Sequence, residues 1–236
     1  MIDRKSASHL LVAVGTTTLL GGCGFGSVVT GETRSETVSF DLDSSEKGRV
    51  EIRMGSGELR VKSGTVKFAE ATFAYNVADW KPVVNYRAGE LTLSQPTQSG
   101  SFGNTVNNWD VNLNRTVPLD ITANLGAGDA NLELGQLILS RVELNIGAGE
   151  MNVDLRGEPK QAYSVQIRGG VGQTTVHLPK DVGISATATK GIGDISTEGL
   201  ENRDGVWVNP DRIGAPVIVR LDVKGGVGQI RLVRDR

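Results

Sequence analysis

The chain has 236 residues, with 25 lysines and arginines against 27 aspartates and glutamates, and a formal net charge of −2. This near balance, with the basic residues scattered along the chain, argues against a nucleic-acid partner. Cys23 is the only cysteine, which excludes an internal disulfide and a thiolate metal site. We therefore expect no metal ion, no other cofactor and no catalytic residue, because the chain has few groups suited to acid-base or nucleophilic chemistry.

The first residues have the pattern of a secretion signal. Arg4 and Lys5 precede an uncharged run from Leu10 to Leu20, which is too short to span a bilayer as a helix but typical of a signal-peptide core. The run ends in Leu20-Gly21-Gly22-Cys23, which resembles the lipobox of bacterial lipoproteins, although Ala or Ser is more usual than Gly21. The resemblance implies that residues 1–22 are removed and that Cys23 is lipidated. The alternative is a buried cysteine after an ordinary apolar run.

Residues 23–37 are predicted to form a flexible tether. The segment from Gly24 to Glu36 is rich in Gly, Ser and Thr and has no sustained alternation. Fully extended, it would reach about 45 Å. We expect a protein anchored to the membrane through the lipid on Cys23, on the extracytoplasmic side of the cell envelope, with the choice between inner and outer membrane left open.

Strand-like alternation then defines an N-terminal β region, residues 38–116. Apolar residues alternate with polar ones on both sides of a Gly-Ser-Gly corner that starts at Gly55. Two further alternating runs follow, Phe68 to Asn76 and Val83 to Arg87. The polar segment Gln95 to Asn108 then reads as a loop, either a simple connection or a recognition loop.

A C-terminal repeat region, residues 117–236, contains the same corner five more times. The first glycines are separated by 21, 23, 21 and 35 residues, which indicates a repeat architecture. None of these corners opens a helix, so they do not have the context of a phosphate-binding loop. The predicted structural glycine corners are Gly55 and Gly57, Gly126 and Gly128, Gly147 and Gly149, Gly170 and Gly172, Gly191 and Gly193, and Gly226 and Gly228.

Superposing the corners predicts an inward-facing ladder of side chains. The polar residues that alternate with these inward-facing side chains, including His177, should face solvent. The predicted inward residues are Ile121, Ala123, Ala130, Leu132, Leu134, Val142, Leu144, Met151, Val153, Leu155, Val165, Ile167, Thr174, Val176, Leu178, Ala186, Ala188, Leu221 and Val223.

Two all-β architectures fit these repeats: a β-solenoid in which each repeat is one coil, and a meander in which the glycines form hairpin turns. We favour the solenoid, because apolar size is matched between repeats and because one repeat cannot bury its own face. At each corner at least one glycine should adopt a conformation that other residues resist. Gly149→Val should then destabilise the fold, whereas Gly103→Val in the polar loop should not.

A polar residue follows each corner. In a solenoid these residues would form a column, which could bind a cation or face a saccharide. Alternatively, their side chains accept hydrogen bonds from turn N–H groups, which we consider the better interpretation because the pattern is tied to the corner. The residues are Glu58, Asp129, Glu150, Gln173, Asp194 and Gln229.

Several segments resemble a known family. FAYNVADWKPVVNYRAGELTLSQ from Phe73 and NNWDVNLNRTVPLDITANLGAGDANLEL from Asn107 are similar to the N-terminal toast-rack domain. NIGAGEMNVDLRG and the segment that follows it are similar to the toast-rack repeats of LiaF-like, cell-wall-active-antibiotic-response proteins. The resemblance implies an all-β, envelope-facing, non-catalytic domain linked to the sensing of envelope stress. This chain departs from LiaF-like proteins in having a lipobox where they have transmembrane helices.

Three function classes follow. The first is a lipid-anchored, non-catalytic envelope module that binds an envelope protein or acts as a scaffold. The second is an adhesin-like or self-associating structural protein, favoured by the open strand edges of a solenoid. The third is a carbohydrate-active enzyme. The candidate binding surfaces are the loop Gln95 to Asn108, the insertion from Glu201 to Ala215, and the outer faces of the coils; Trp80 and Trp207 are either core residues or sugar platforms.

Overall fold

The structure, a computed structural model, describes residues 29–96 and 104–235. Cys23 and Gly103 therefore lie outside the described residues. The described chain contains strands and two short 3₁₀ turns, Ala78–Trp80 and Pro210–Arg212, and the all-β prediction is confirmed. The strands are β1 Arg34–Phe40, β2 Gly48–Thr65, β3 Ala69–Tyr75, β4 Val83–Arg87, β5 Glu90–Ser94, β6 Asn107–Asn114, β7 Leu119–Glu133, β8 Leu139–Asp154, β9 Tyr163–Leu178, β10 Gly183–Glu198, β11 Glu201–Arg203, β12 Val206–Val208 and β13 Ile218–Arg234.

Each Gly-x-Gly repeat forms one long strand with the corner near its middle. We call the part before the corner the first limb and the part after it the second limb. The six repeat strands stack in parallel and in register, so that Gly128 lies opposite Gly149, and Gly149 opposite Gly172. Hairpin turns would have produced antiparallel neighbours within each repeat. The solenoid prediction is therefore correct and the meander is not.

The stacking order differs from the chain order. The repeat strands lie in the order β2, β7, β8, β9, β13, β10, so the last strand of the chain is inserted between β9 and β10. The inward ladder explains why β10 is at the end. Ala188 is half-buried beside Val223, and Lys190 occupies the position held by Leu125 and Ile146 in earlier coils. A charged side chain at this position is tolerated only where no further coil covers it.

The predicted ladder forms the core. Its members are buried, with the exception of Ala188, and its apolar members form one continuous hydrophobic cluster that receives side chains from both limbs. His177 lies between buried Val176 and Leu178 and is half-buried on the outer face, beside Asp154 of β8. Burial of an aliphatic side chain contributes roughly 1.5 to 3 kcal/mol, so stacking of the coils is the main source of stability.

The N-terminal strands cap one end of the stack. β6, β3 and β1 extend the sheet beside the second limb of β2, while β5 and β4 extend it beside the first limb. Trp109 and Phe73 fill this cap with ring centroids 5.1 Å apart in an edge-to-face arrangement. Because β2 pairs with β7 along both limbs, the regions 38–116 and 117–236 share one sheet and one core.

The first strand begins earlier than the sequence suggested. β1 starts at Arg34, so the last four residues of the predicted tether, 34–37, are paired with β3 instead. The reason is a tertiary contact that local composition does not reveal. The Tyr75 hydroxyl donates a hydrogen bond of 2.6 Å to Glu36 Oε1, and Lys81 Nζ lies 2.9 Å from Glu36 Oε2. Among the described residues no helix is long and apolar enough to cross a membrane.

Candidate functional site

Backbone geometry at the corners explains the glycines. Gly149 has a φ of 129°, which L side chains rarely adopt, and a Cβ built on it would lie 1.8 Å from the carbonyl oxygen of Gly128. The coils therefore approach one another too closely at this position for any side chain. The same positive φ, between 126° and 138°, occurs at the second glycine of all six corners: Gly57, Gly128, Gly149, Gly172, Gly193 and Gly228.

At the first glycine of a corner, a side chain is excluded for a different reason. These residues lack the positive φ, but a Cβ on Gly126 would lie 2.3 Å from the carbonyl oxygen of Gly55 in the preceding coil. Gly147, Gly170, Gly191 and Gly226 have equivalent neighbours at 2.1 to 2.6 Å. Gly55, in the first coil, is the exception, because its nearest neighbour is the side-chain Oε1 of Gln95 at 3.4 Å.

The middle residues of the corners form a row along the outside of the stack, which we call the ridge. In stacking order the row changes from small to large side chains, and its last three members are exposed aliphatic residues: Val171 is 57%, Val227 46% and Ile192 72% exposed. Flanking glycines leave these three side chains without neighbours along the strand. The ridge consists of Ser56, Ala127, Ala148, Val171, Val227 and Ile192.

The polar residues after the corners form the predicted column beside the ridge. The column runs Glu58, Asp129, Glu150, Gln173, Gln229, Asp194 in stacking order. Glu58 is ion-paired with Arg60. The exposed carboxylates of Asp129, Glu150 and Asp194 accept no hydrogen bond from a turn N–H among the described residues. The interpretation that these side chains bind turn N–H groups is therefore wrong for these three residues. In residues 29–96 and 104–235, no group of three or more His, Cys, Asp or Glu residues could hold a metal ion.

On the other side of the ridge lies a row of polar side chains, most of them arginine, lysine or asparagine. Asn145 Nδ2 donates a hydrogen bond of 2.8 Å to Asn124 Oδ1, which joins neighbouring coils across the outer surface. Arg53 forms an ion pair of 2.7 Å with Glu51, and Lys224 lies 3.5 Å from Asp222. In stacking order the row is Arg53, Asn124, Asn145, Arg168, Lys224 and Thr189.

The missing side chains of the first glycines produce a trough along the first four coils. It has a volume of about 980 Å³, and its lining is largely apolar. The floor is the glycine backbone, one wall is the Asn124 and Asn145 row, and the end at the cap is closed by Trp80, Gln95 and Pro96. A concave surface of this size, with a few convergent amide and guanidinium groups, can hold an extended ligand.

The family model of the N-terminal domain of toast_rack (Toast_rack_N, DUF2154) matches residues 29–177, which is more than half of the chain. The protein belongs to the toast-rack family. A search of the curated proteins gives no match.

One solved structure at 28% identity matches this fold over most of the chain. A "putative cell adhesion protein" from Clostridium sporogenes is 28% identical, with a TM-score of 0.84, and the match covers 86% of this chain and 100% of that chain. A "putative adhesin" from Parabacteroides merdae is 10% identical over 86% of this chain and 99% of that one, with a TM-score of 0.34. The first of these extends the likeness beyond residue 177, into the last coils.

Sequence reasoning missed Gln95, which is one of the residues that close the toast-rack trough. Gln95 Oε1 accepts hydrogen bonds from the backbone N–H groups of Gly55 at 2.8 Å and Ser56 at 3.3 Å, and from Asn107 Nδ2 at 2.9 Å. The side chain thereby caps the first corner, where no earlier coil is present. Local sequence does not reveal this role, because Gly55 and Ser56 are about 40 residues away from Gln95 in the chain.

The tryptophans divide between the core and the insertion. Trp80 is 1% exposed, so it is a core residue at the cap and the sugar-platform interpretation does not apply to it. Trp207 lies on β12, opposite Ala186 of β10, and is half-buried. β11 and β12 form a hairpin within the predicted insertion and cover only the start of β10. From Thr187 to Glu198, β10 has no partner strand on its outer side among the described residues.

The N-terminus of the described chain meets the stack beside the ridge. Arg34 pairs with Tyr75, Tyr75 pairs with Asn107, and the Asn107 carbonyl is the atom that a Cβ on Gly57 would strike. Hydrogen bonds from Tyr75 and then Lys81 hold the pKa of the Glu36 carboxyl below its usual value. Burial, followed by the bond to Glu36, raises the pKa of the Tyr75 hydroxyl. These contacts fix the start of β1 at the corner side of the cap.

Proposed function

We propose that this toast-rack protein is a lipid-anchored, non-catalytic binding module on the extracytoplasmic side of the cell envelope. The observation that carries the proposal is the correspondence with the Clostridium sporogenes structure over all of that chain, since that protein's name concerns cell adhesion. Membrane attachment is inferred from the signal-like residues 1–22 and from Cys23. We place the binding surface in the trough, whose largely apolar lining and few amide and guanidinium groups are suited to an extended partner, such as a segment of an envelope protein.

The anchor is tested by changing Cys23. We expect wild-type protein made in bacteria to fractionate with membranes and to incorporate labelled fatty acid, and the Cys23→Ser protein to incorporate none. Fatty-acid incorporation is the decisive measurement, because an uncleaved apolar segment from Leu10 to Leu20 could by itself retain the variant in the membrane. Soluble, unlabelled wild-type protein would overturn the anchor.

Filling the trough tests the binding surface. Protein that begins at Gly24 is mixed with isolated cell envelopes from a strain that lacks it, and the bound fraction is measured by co-sedimentation. Asn145→Trp places a bulky side chain in the trough, and we expect affinity to fall about tenfold, or about 1.4 kcal/mol of binding free energy. Asn152→Trp is the matched control, because Asn152 is exposed on the second limb of the same strand.

Two outcomes of that experiment would redirect the proposal. If wild-type protein does not sediment with the envelopes, the proposed binding function is wrong. If it does, and both tryptophan variants bind equally well, the partner lies elsewhere. The open edge of β10 would then favour the second candidate, an adhesin-like or self-associating protein, because an unpaired strand edge is a template for adding a strand from another chain.

A further inference from the structure

The two halves of the ridge differ in character. In the half formed by β2, β7 and β8, the ridge residues are Ser56, Ala127 and Ala148. The two outward positions on each side of the corner hold two cations and five carboxylates: Arg53 and Arg60 against Glu51, Glu58, Asp129, Glu143 and Glu150.

The other half, formed by β9, β13 and β10, reverses this pattern. Its ridge residues are aliphatic and exposed, and the equivalent outward positions hold three cations and two carboxylates: Arg168, Lys224 and Arg231 against Asp194 and Asp222. Lys224 lies 3.5 Å from Asp222, while Arg168 is exposed and forms no ion pair with another described residue. We call Val171, Val227 and Ile192, with Arg168 and Lys224, the apolar-basic patch.

The position of the tether relates this patch to the membrane. From Cys23 to Arg34 the chain advances 11 residues, which reach at most about 40 Å. The seven strand spacings from β1 to β13 amount to about 34 Å at roughly 4.8 Å each. Because Arg34 lies at the corner side of the cap, the ridge is the long surface that begins beside the start of β1. The distance from β1 to the patch is within the length of an extended tether.

From these observations we propose that the apolar-basic patch docks on the anionic membrane surface to which the protein is anchored. Val171, Val227 and Ile192 enter the interface between headgroups and acyl chains, and Arg168 and Lys224 pair with lipid phosphates. The carboxylate-rich half is repelled by the same surface, so the stack tilts with its β10 end toward the membrane. The inference rests on the proposed lipid anchor and adds an orientation for the folded domain.

The test uses the full-length lipidated protein, in which Cys23 has no free thiol. Ile192→Cys is labelled with an environment-sensitive fluorophore and reconstituted into vesicles of phosphatidylcholine and phosphatidylglycerol that contain a spin-labelled quenching lipid. Ala148→Cys is the matched control, because it occupies the same corner position in the carboxylate-rich half. We expect quenching at position 192 to be at least about twofold greater than at position 148.

The electrostatic part is tested separately. Quenching at position 192 should fall toward the control value in R168Q/K224Q, in vesicles of phosphatidylcholine alone, and at high salt, where the screening length shrinks to about 3 Å at 1 M. The control R87Q removes an exposed cation on β4, near the end of the β2 first limb that is farthest from the corner. It should have no effect on the quenching at position 192.

The outcomes separate the two proposals. Protein that does not float with the vesicles would overturn the anchor, and the docking proposal with it. Protein that floats, but is quenched equally at positions 192 and 148, would overturn docking alone. Protection of position 192 in native envelopes, without quenching in vesicles, would overturn the lipid surface in favour of an acidic protein partner at the same patch.

Discussion

Replacing Gly149 with alanine is expected to lower the free energy of unfolding by about 3 kcal/mol, because it combines two separate costs. The backbone at this position has a φ of 129°, which alanine adopts only with strain. The new methyl group would also lie 1.8 Å from the carbonyl oxygen of Gly128, a backbone atom that can move only if the coils separate. Chemical denaturation of purified wild-type and variant protein measures the difference.

Gly55→Ala is the control for this experiment. Gly55 is also a corner glycine, but it has no positive φ, and its nearest neighbour is the flexible Gln95 side chain at 3.4 Å. We expect a loss below about 1 kcal/mol, within the range of ordinary surface changes. Equal losses of stability for the two substitutions would contradict the explanation that glycine is needed where stacked coils approach each other closely.

Trp109→Ala is the second substitution with a large expected effect. Trp109 is 1% exposed, packs edge-to-face against Phe73, and donates a hydrogen bond of 2.8 Å from Nε1 to Asn107 Oδ1. Truncation would leave a large cavity in the cap and remove the partner of a buried amide. We expect a loss of about 3 to 5 kcal/mol in the free energy of unfolding, measured by chemical denaturation.

The matched variant is Trp207→Ala. Trp207 is half-buried on the short strand β12, which pairs with β10 through only two residues. Its removal should cost less than about 1.5 kcal/mol, because the vacated space opens to solvent and can fill with water. A larger loss at Trp207 than at Trp109 would mean that the insertion, and not the N-terminal cap, limits the stability of the stack.

Local pattern was sufficient to predict much of this fold. Alternation of apolar and polar residues over each repeat predicted which face of every coil is buried, because side chains on a strand point to opposite faces in turn. The corner glycines were predictable because a Gly-x-Gly pair at a regular spacing has no better explanation than close backbone approach. His177 was predicted to face outward from its buried neighbours alone.

The long-range arrangement was not contained in those patterns. Insertion of β13 between β9 and β10 places residues 218–234 between strands that are consecutive in the chain, and each coil carries nearly the same signal. The Gln95 cap and the start of β1 at Arg34 likewise depend on partners about 40 residues away.

The sequence by itself determined an all-β repeat fold with glycine corners and the buried face of each repeat, because periodicity and backbone sterics are local properties. The choice between a solenoid and a meander was decided by the parallel pairing of the repeats in the tertiary structure. Only the tertiary structure decided which coils are neighbours. That order collects Val171, Val227 and Ile192 into one exposed row, with Arg168 and Lys224 beside it. In the chain, Ile192 comes 35 residues before Val227. The row is continuous because parallel, in-register pairing brings equivalent corner positions of adjacent strands to a spacing of about 4.8 Å.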